Sequence, residues 1–292
     1  MPRHPRTASR GEQLKDSVFQ ALVRRASTHD GPVFPLHVGD SWREPPPAAR
    51  AEALVTETHP GLHRYALPQG EPALLDAIVE RLGVHAPVER KQVQVVSGAT
   101  VGLSITCQAL LDPGDEVLLP SPYWPLIRGI IASASATPVE IPFFTRLDED
   151  DLDAEALLEA AVTERTTAIY LNSPHNPTGH VPSEAVLSAI ARVAERHDLW
   201  VFCDEVYERL CYLDPQPAPT WSRDDLRHRA VATHSVSKSH ALAGARVGWT
   251  HGPEEAMSAL RKVQAHQVYC ASRPMQAAAL AALTEGESWL SE

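Results

Sequence analysis

From Gly70 to Gly252 short apolar runs alternate with longer stretches of helical period, and this alternation constrains the fold more than any other feature of the chain. The runs are VQVVS at 93–97, EVLLP at 116–120, TPVEIP at 137–142, TTAIYL at 166–171, LWVFCD at 199–204, RAVATHS at 229–235 and RVGWTHG at 246–252. Helical spacing occupies 99–111, the region near 123–133 and 182–197, and it opens with EPALLDAIVERL at 71–82, where Pro72 suits a first turn. Strand, helix, strand at this rhythm predicts a doubly wound α/β fold, with a mixed but mostly parallel sheet covered by helices on both faces. Ligand groups are then expected in the loops at the carboxyl ends of the strands.

A chain of 292 residues exceeds the usual single-domain size, so one large domain with a smaller appended part is expected. The first sixty residues are rich in Pro and Arg, with a helix predicted around Glu12 to Ala26 and a turn-rich passage from Trp42 to Pro47. The net charge of −11 offers no broad cationic field, which argues against nucleic acid or an anionic membrane as partner. Pro, Arg or Asp interrupts every apolar stretch before about 20 residues, and the basic N-terminus lacks the apolar core of a secretory signal, so a cytoplasmic location is expected. Cys107, Cys203, Cys211 and Cys270 form no CxxC pair. Fourteen histidines give no ligand spacing, since Pro60 and Gly61 separate His59 from His63; no metal site is expected. Only Lys15, Lys91, Lys238 and Lys262 are lysines among 26 basic residues, and an amine can form an imine where a guanidinium cannot.

Polar groups fall just after the runs: Ser97-Gly98-Ala99-Thr100, Tyr123-Trp124, Asn172 to Gly179, Asp204 with Tyr207, and Ser235, Ser237 and Lys238. Together they supply an anion cradle at a helix start, an aromatic plate, an amide, an acid, a phenol and an amine. Each has an ordinary alternative taken singly: a solvated lysine, a strand-end cap for Asp204, a core residue for Tyr207 or Trp124, a turn asparagine for Asn176.

The stretches NSPHNPTG (172–179), CDEVY (203–207) and SVSKSHALAGARVGW (235–249) resemble, in order and separation, the signatures of class I/II aminotransferases that use pyridoxal 5′-phosphate (PLP), enzymes of fold type I. The resemblance runs from about Val38 to the end of the chain. It implies that Lys238 carries the cofactor, that Asp204 faces its pyridine nitrogen, and that Tyr207 and Asn176 reach its phenolate oxygen. It further implies that Ser235, Ser237 and Arg246 hold the phosphate and that Trp124 stacks on the ring; Gly98, Ala99 and Thr100, at a helix start, are expected to complete the phosphate site with backbone N–H groups. Tyr65, in RYALPQG, resembles the tyrosine that crosses a homodimer interface to the neighbour's phosphate, and Gly39, in LHVGD, the glycine that lies against substrate.

The chemistry asks for the same residue types. Asp204 ends an apolar strand, where an unpaired carboxylate is unfavourable, and a protonated ring nitrogen would satisfy it. Lys238 must be an amine both to hold the cofactor as a Schiff base and to move a proton at the substrate α-carbon. Arg246 supplies a guanidinium fork suited to phosphate.

The expected division is an N-terminal arm with small-domain elements (1–60), a PLP-binding large domain (61–270) and the start of a C-terminal small-domain connection (271–292). The resemblance implies amino transfer in ping-pong order between an L-amino acid and a 2-oxo acid. The rivals are a PLP-dependent lyase, such as a carbon–sulfur lyase, and a truncated PLP-binding protein with little turnover. Family members usually continue beyond the position of Glu292 and supply there the arginine for the substrate α-carboxylate; Arg261 and Arg273 lie before that place. The family often has a proline shortly after the substrate-side glycine. Here Asp40-Ser41-Trp42 follows Gly39, so an unusual substrate wall is expected.

Overall fold

Strands buried on both faces need near-continuous apolar sequence, and the expected runs do form the core of one sheet. The computed structural model describes residues 5, 7–8, 11–12, 14, 18–34, 36, 38–147 and 152–292. Its sheet has seven strands: β1 (Val93–Val96), β2 (Glu116–Ser121), β3 (Thr137–Pro142), β4 (Thr166–Asn172), β5 (Trp200–Asp204), β6 (Ala230–Ser235) and β7 (Gly248–His251). Their order is β1-β7-β6-β5-β4-β2-β3. Pairings are parallel from β6 through β5, β4 and β2 to β3, while β7 runs antiparallel to both of its neighbours. Because β7 is reversed, its starting end, with Arg246 just before it, lies at the edge of the sheet where β1, β2, β4, β5 and β6 finish.

Ten helices are described: α1 (Val18–Ser27), α2 (Pro72–Gly83), α3 (Ala99–Leu110), α4 (Pro125–Ser133), α5 (Ala154–Glu159), α6 (Glu184–Arg196), α7 (Val236–Ser239), α8 (Glu254–Gln267), α9 (Arg273–Glu285) and α10 (Glu287–Ser291). Alternate strand residues point to opposite faces. Ile169, Leu171, Val201 and Cys203 therefore join a core with α2, α5, α6 and α9, while Tyr170 and Phe202 join a second core with α3, α4 and α8. The layers are thus helix, sheet, helix. Of the helix expected over Glu12 to Ala26, α1 is the continuous described part; residues 13 and 15–17 lie outside the described residues. Beyond Gly252, where no element is expected from the sequence, the chain forms α8, α9 and α10. In α8 the buried residues Ala256, Met257, Leu260 and Gln264 give the helical spacing that could have revealed it.

Two glycines set the position of α3. A Cβ at Gly102 would stand 2.7 Å from Thr250 Oγ1 and 2.9 Å from Thr233 Cγ2, so its absence lets the helix settle against β6 and β7. Gly98, the N-cap, has φ 82° and ψ 161°, a region that side chains rarely adopt, and it turns the chain from β1 into the helix.

Candidate active site

Asp204 is the last residue of β5 and is only 4% exposed. On the adjacent strand Tyr170 donates its hydroxyl to Asp204 Oδ2 at 2.7 Å, whereas Asp204 Oδ1 has no partner among the described residues. Burial pushes the carboxyl up to about 6, against the opposing pull of the Tyr170 hydroxyl. Asn172, which pairs with Asp204 in register, donates Nδ2 to the Asp204 carbonyl at 2.8 Å and accepts the Asn176 backbone N–H on Oδ1 at 2.6 Å. Asn176 Nδ2 in turn donates to the Tyr207 hydroxyl at 3.4 Å. Burial and the nearby Asp204 push the Tyr207 phenol up, with Asn176 acting against them. Sequence reasoning missed Tyr170, and it named Asn172 only within the 172–179 stretch, without a role of its own. The available signal was polar tips at the end of an apolar strand, which need partners once buried.

Lys238 stands on the one-turn helix α7, whose N-cap Ser235 accepts the Ser237 backbone N–H at 3.1 Å. Ser235 Oγ donates to the Val247 carbonyl at 3.0 Å and lies 2.7 Å from Ser237 Oγ, which locks the two hydroxyls side by side. Lys238 Nζ donates to the Gly39 carbonyl. Burial lowers the Lys238 amine, Asp40 raises it and Arg246 lowers it, with a net downward shift that favours the neutral, nucleophilic form. Arg246 has a left-handed backbone and donates Nη1 to the Ala243 carbonyl at 2.9 Å. Its guanidinium lies over Gly98, where an added Cβ would come within 2.4 Å of Nη2. A cation, two hydroxyls and the first turn of a twelve-residue helix thus meet at one place, a combination suited to a phosphate.

All but two of the site residues expected from the sequence line a single cavity of about 620 Å³. Gly98 lies beneath Arg246 rather than on the wall. Tyr65 is 83% exposed, away from the cavity, with its ring edge-on to Tyr269 at 5.4 Å between centroids. Trp124, half-buried, caps the start of α4 and faces the cavity. Arg261 bonds the Lys91 carbonyl, and Arg273 bonds the Gly61 carbonyl at 3.0 Å and Glu71 at 3.2 Å; neither lines the cavity. Among the described residues no group of three or more acidic, histidine or cysteine side chains could hold a metal, and no helix is long and apolar enough to cross a membrane.

A polar network supports the loop that follows Asp204. Glu208 lies 2.7 Å from Arg81 Nη2 and 3.0 Å from His234 Nδ1, and His234 Nε2 lies 3.0 Å from His251 Nε2. Burial acts to raise the Glu208 carboxyl, but His234 and Arg81 outweigh it and hold the group well below its usual range. Glu205, also buried, accepts the Thr220 N–H at 3.0 Å and is pushed up to about 8 by burial. The segment carrying Tyr207 is therefore tied to α2 by the Glu208–Arg81 ion pair and to β6 by the contact of Glu208 with His234.

A mostly parallel seven-stranded sheet of this order, covered by helices on both faces, is the architecture of fold type I aminotransferases. The family described as "Aminotransferase class I and II" matches residues 32–292, and the chain belongs to it. Aspartate aminotransferase of Musicola paradisiaca (strain Ech703) is 35% identical over 226 residues, covering 76% of this chain and 56% of that protein. Aspartate aminotransferase of Rhizobium meliloti (strain 1021) is 34% identical over 288 residues, covering 96% and 68%. The arginine–pyruvate transaminase AruH of Pseudomonas aeruginosa is 33% identical, covering 95% and 70%. The crystal structure of the Rhizobium meliloti aspartate aminotransferase superposes with a TM-score of 0.90 at 31% identity, over 98% of this chain and 72% of that one. The chain thus spans between about half and three quarters of the length of these relatives.

Proposed function

We propose that the Lys238 cavity binds pyridoxal 5′-phosphate and that the protein moves an amino group between an L-amino acid and a 2-oxo acid. The observation that carries this reading is Asp204: a buried carboxylate whose Oδ1 has no partner among the described residues, on a residue that lines the same cavity as a primary amine. A protonated ring nitrogen is the kind of group that satisfies such an oxygen. The residues present fit the cofactor in its other parts too. Tyr207 and Asn176 would hold the ring hydroxyl, Trp124 the ring face, and Ala99, Thr100, Ser235, Ser237 and Arg246 the phosphate, with Gly98 leaving room for the Arg246 guanidinium.

When bound, the cofactor supplies an electron-withdrawing ring that makes the proton on the substrate α-carbon removable. Asp204 would keep the ring nitrogen protonated, and Tyr170 holds the Asp204 carboxylate in place through its hydroxyl. Tyr207, oriented by Asn176 and through it by Asn172, would donate to the ring oxygen. Lys238, its amine lowered by burial, would hold the cofactor and would carry the proton at the substrate α-carbon. The relatives named above are aminotransferases, which supports transfer over elimination.

The same reading makes Tyr65 a phosphate ligand for the partner subunit in a homodimer, supported by its exposure in this chain. It also carries the division at residues 60 and 270 and the cytoplasmic location. The test is reduction of the PLP-treated protein with borohydride followed by peptide mapping. Pyridoxyl mass on the peptide containing Lys238 is expected; recovery mainly on Lys15, Lys91 or Lys262 overturns the assignment.

A further inference from the structure

The cavity does not end at the amine. Its lining also includes Phe19 and Leu22 of α1, Tyr123 and Trp124 at the start of α4, and Leu36 and Val38 in the segment shortly before Gly39. Lys238 Nζ touches the Gly39 carbonyl, so this segment adjoins the amine itself. A substrate whose α-carbon must come within reach of that amine has its side chain directed into this space or along its rim. Leu22, Leu36 and Val38 are 40%, 92% and 53% exposed, large apolar side chains held open at the mouth of a site. Singly exposed apolar residues need no explanation, but a cluster beside a reactive amine does.

Charge points the same way. Lys238 and Arg246 are the only cations among the described residues that line the cavity, and each already has a role in holding the cofactor. Arg246 is drawn off to the Ala243 carbonyl and the start of α3. A negative charge adjoins this wall: Asp40, which follows Gly39, accepts the Ser41 N–H at 2.9 Å and acts electrostatically on Lys238. A second carboxylate directed along this wall would lose water against apolar side chains and face Asp40. A hydrocarbon or aromatic side chain would instead cover the apolar wall.

We infer that the amino donor taken by this site carries an apolar side chain, aromatic or branched aliphatic, in preference to the acidic side chain of aspartate or glutamate. The inference rests on the assignment of the Lys238 cavity to amino transfer, and it extends that assignment to the side-chain specificity. The determinants are Phe19, Leu22, Leu36 and Val38 as the apolar wall, with Asp40 disfavouring acids.

The test is equilibrium binding to the PLP-loaded protein of 3-phenylpropanoate and succinate, which are phenylalanine and aspartate without their amino groups. Binding is followed by the visible absorbance of the bound cofactor and by tryptophan fluorescence. 3-Phenylpropanoate is expected to bind more tightly by a factor on the order of ten or more. Leu22→Arg, on a partly exposed helix face, should move the preference towards succinate by about fivefold, and Asp40→Asn should move it the same way. Succinate binding as tightly as 3-phenylpropanoate, or more tightly, overturns the inference and would mean that a cation reaches the site from elsewhere. If no visible cofactor band forms at all, the assignment of the cavity fails as well, so the two failures are told apart by the spectrum alone.

Discussion

Replacing Asp204 by Asn should stabilise the protein without cofactor while weakening its hold on the cofactor, and the size of the effect follows from the buried carboxyl. Asp204 is pushed from 3.8 to about 6 by burial, which at about 1.4 kcal/mol per pH unit corresponds to about 3 kcal/mol. A carboxyl raised in the folded chain binds its proton more tightly there than in the unfolded chain. Its favourable contribution is therefore complete below pH 3.8 and lost as the pH rises through about 6. Asparagine cannot ionise, so the stability difference between Asp204→Asn and the parent should change by about 2.5 kcal/mol in favour of the variant between pH 4 and pH 8. The amide nitrogen placed where Oδ1 has no partner costs about 1–2 kcal/mol at every pH, leaving a net gain near pH 8 of about 1–2 kcal/mol. Urea denaturation of the cofactor-free forms at both pH values measures this. In the cofactor-loaded form the sign reverses, because a charge-assisted bond is lost and PLP affinity should fall about 10- to 100-fold. An equal stability difference at pH 4 and pH 8 would refute the reasoning, since it would mean that Asp204 is not held in an unfavourable charged state.

Gly98→Ala should lower the urea midpoint by an amount corresponding to about 1–3 kcal/mol, because φ 82° and ψ 161° exclude a side chain, and it should weaken PLP binding by displacing the Arg246 guanidinium. An unchanged midpoint together with unchanged affinity would show that neither contact matters. If Tyr65 serves the neighbouring subunit, mixing Tyr65→Phe and Lys238→Ala proteins should restore part of the activity, because half of the sites in a mixed dimer carry neither lesion. Sedimentation as a monomer with full PLP affinity would exclude that role.

The periodicity of the chain was enough to place the strands. EVLLP at 116–120 became β2 (Glu116–Ser121), and the helix expected at 99–111 became α3 (Ala99–Leu110), because strands buried on both faces and helices with one apolar stripe write their periods directly into sequence. The chemistry-bearing residues were legible for a related reason. A loop at a strand's carboxyl end is short, so Asp204 and Lys238 had to lie beside the ends of β5 and β6 wherever those strands sat in the sheet.

Only the tertiary structure decided which strands are neighbours, and with that which side chains complete the site. Tyr170 and Asp204 are 34 positions apart and meet because β4 pairs with β5 in a particular register. The reversal of β7 brings Arg246 to Gly98, and the path of the N-terminal segment sets Leu22 and Val38 beside Lys238. Sequence by itself determined the elements and the kinds of chemical group at their ends, since these depend on local spacing. Strand order, the pairing of buried charges such as Glu208 with Arg81, and the apolar mouth depend on contacts between distant segments, which form only when the whole chain buries its two cores at once.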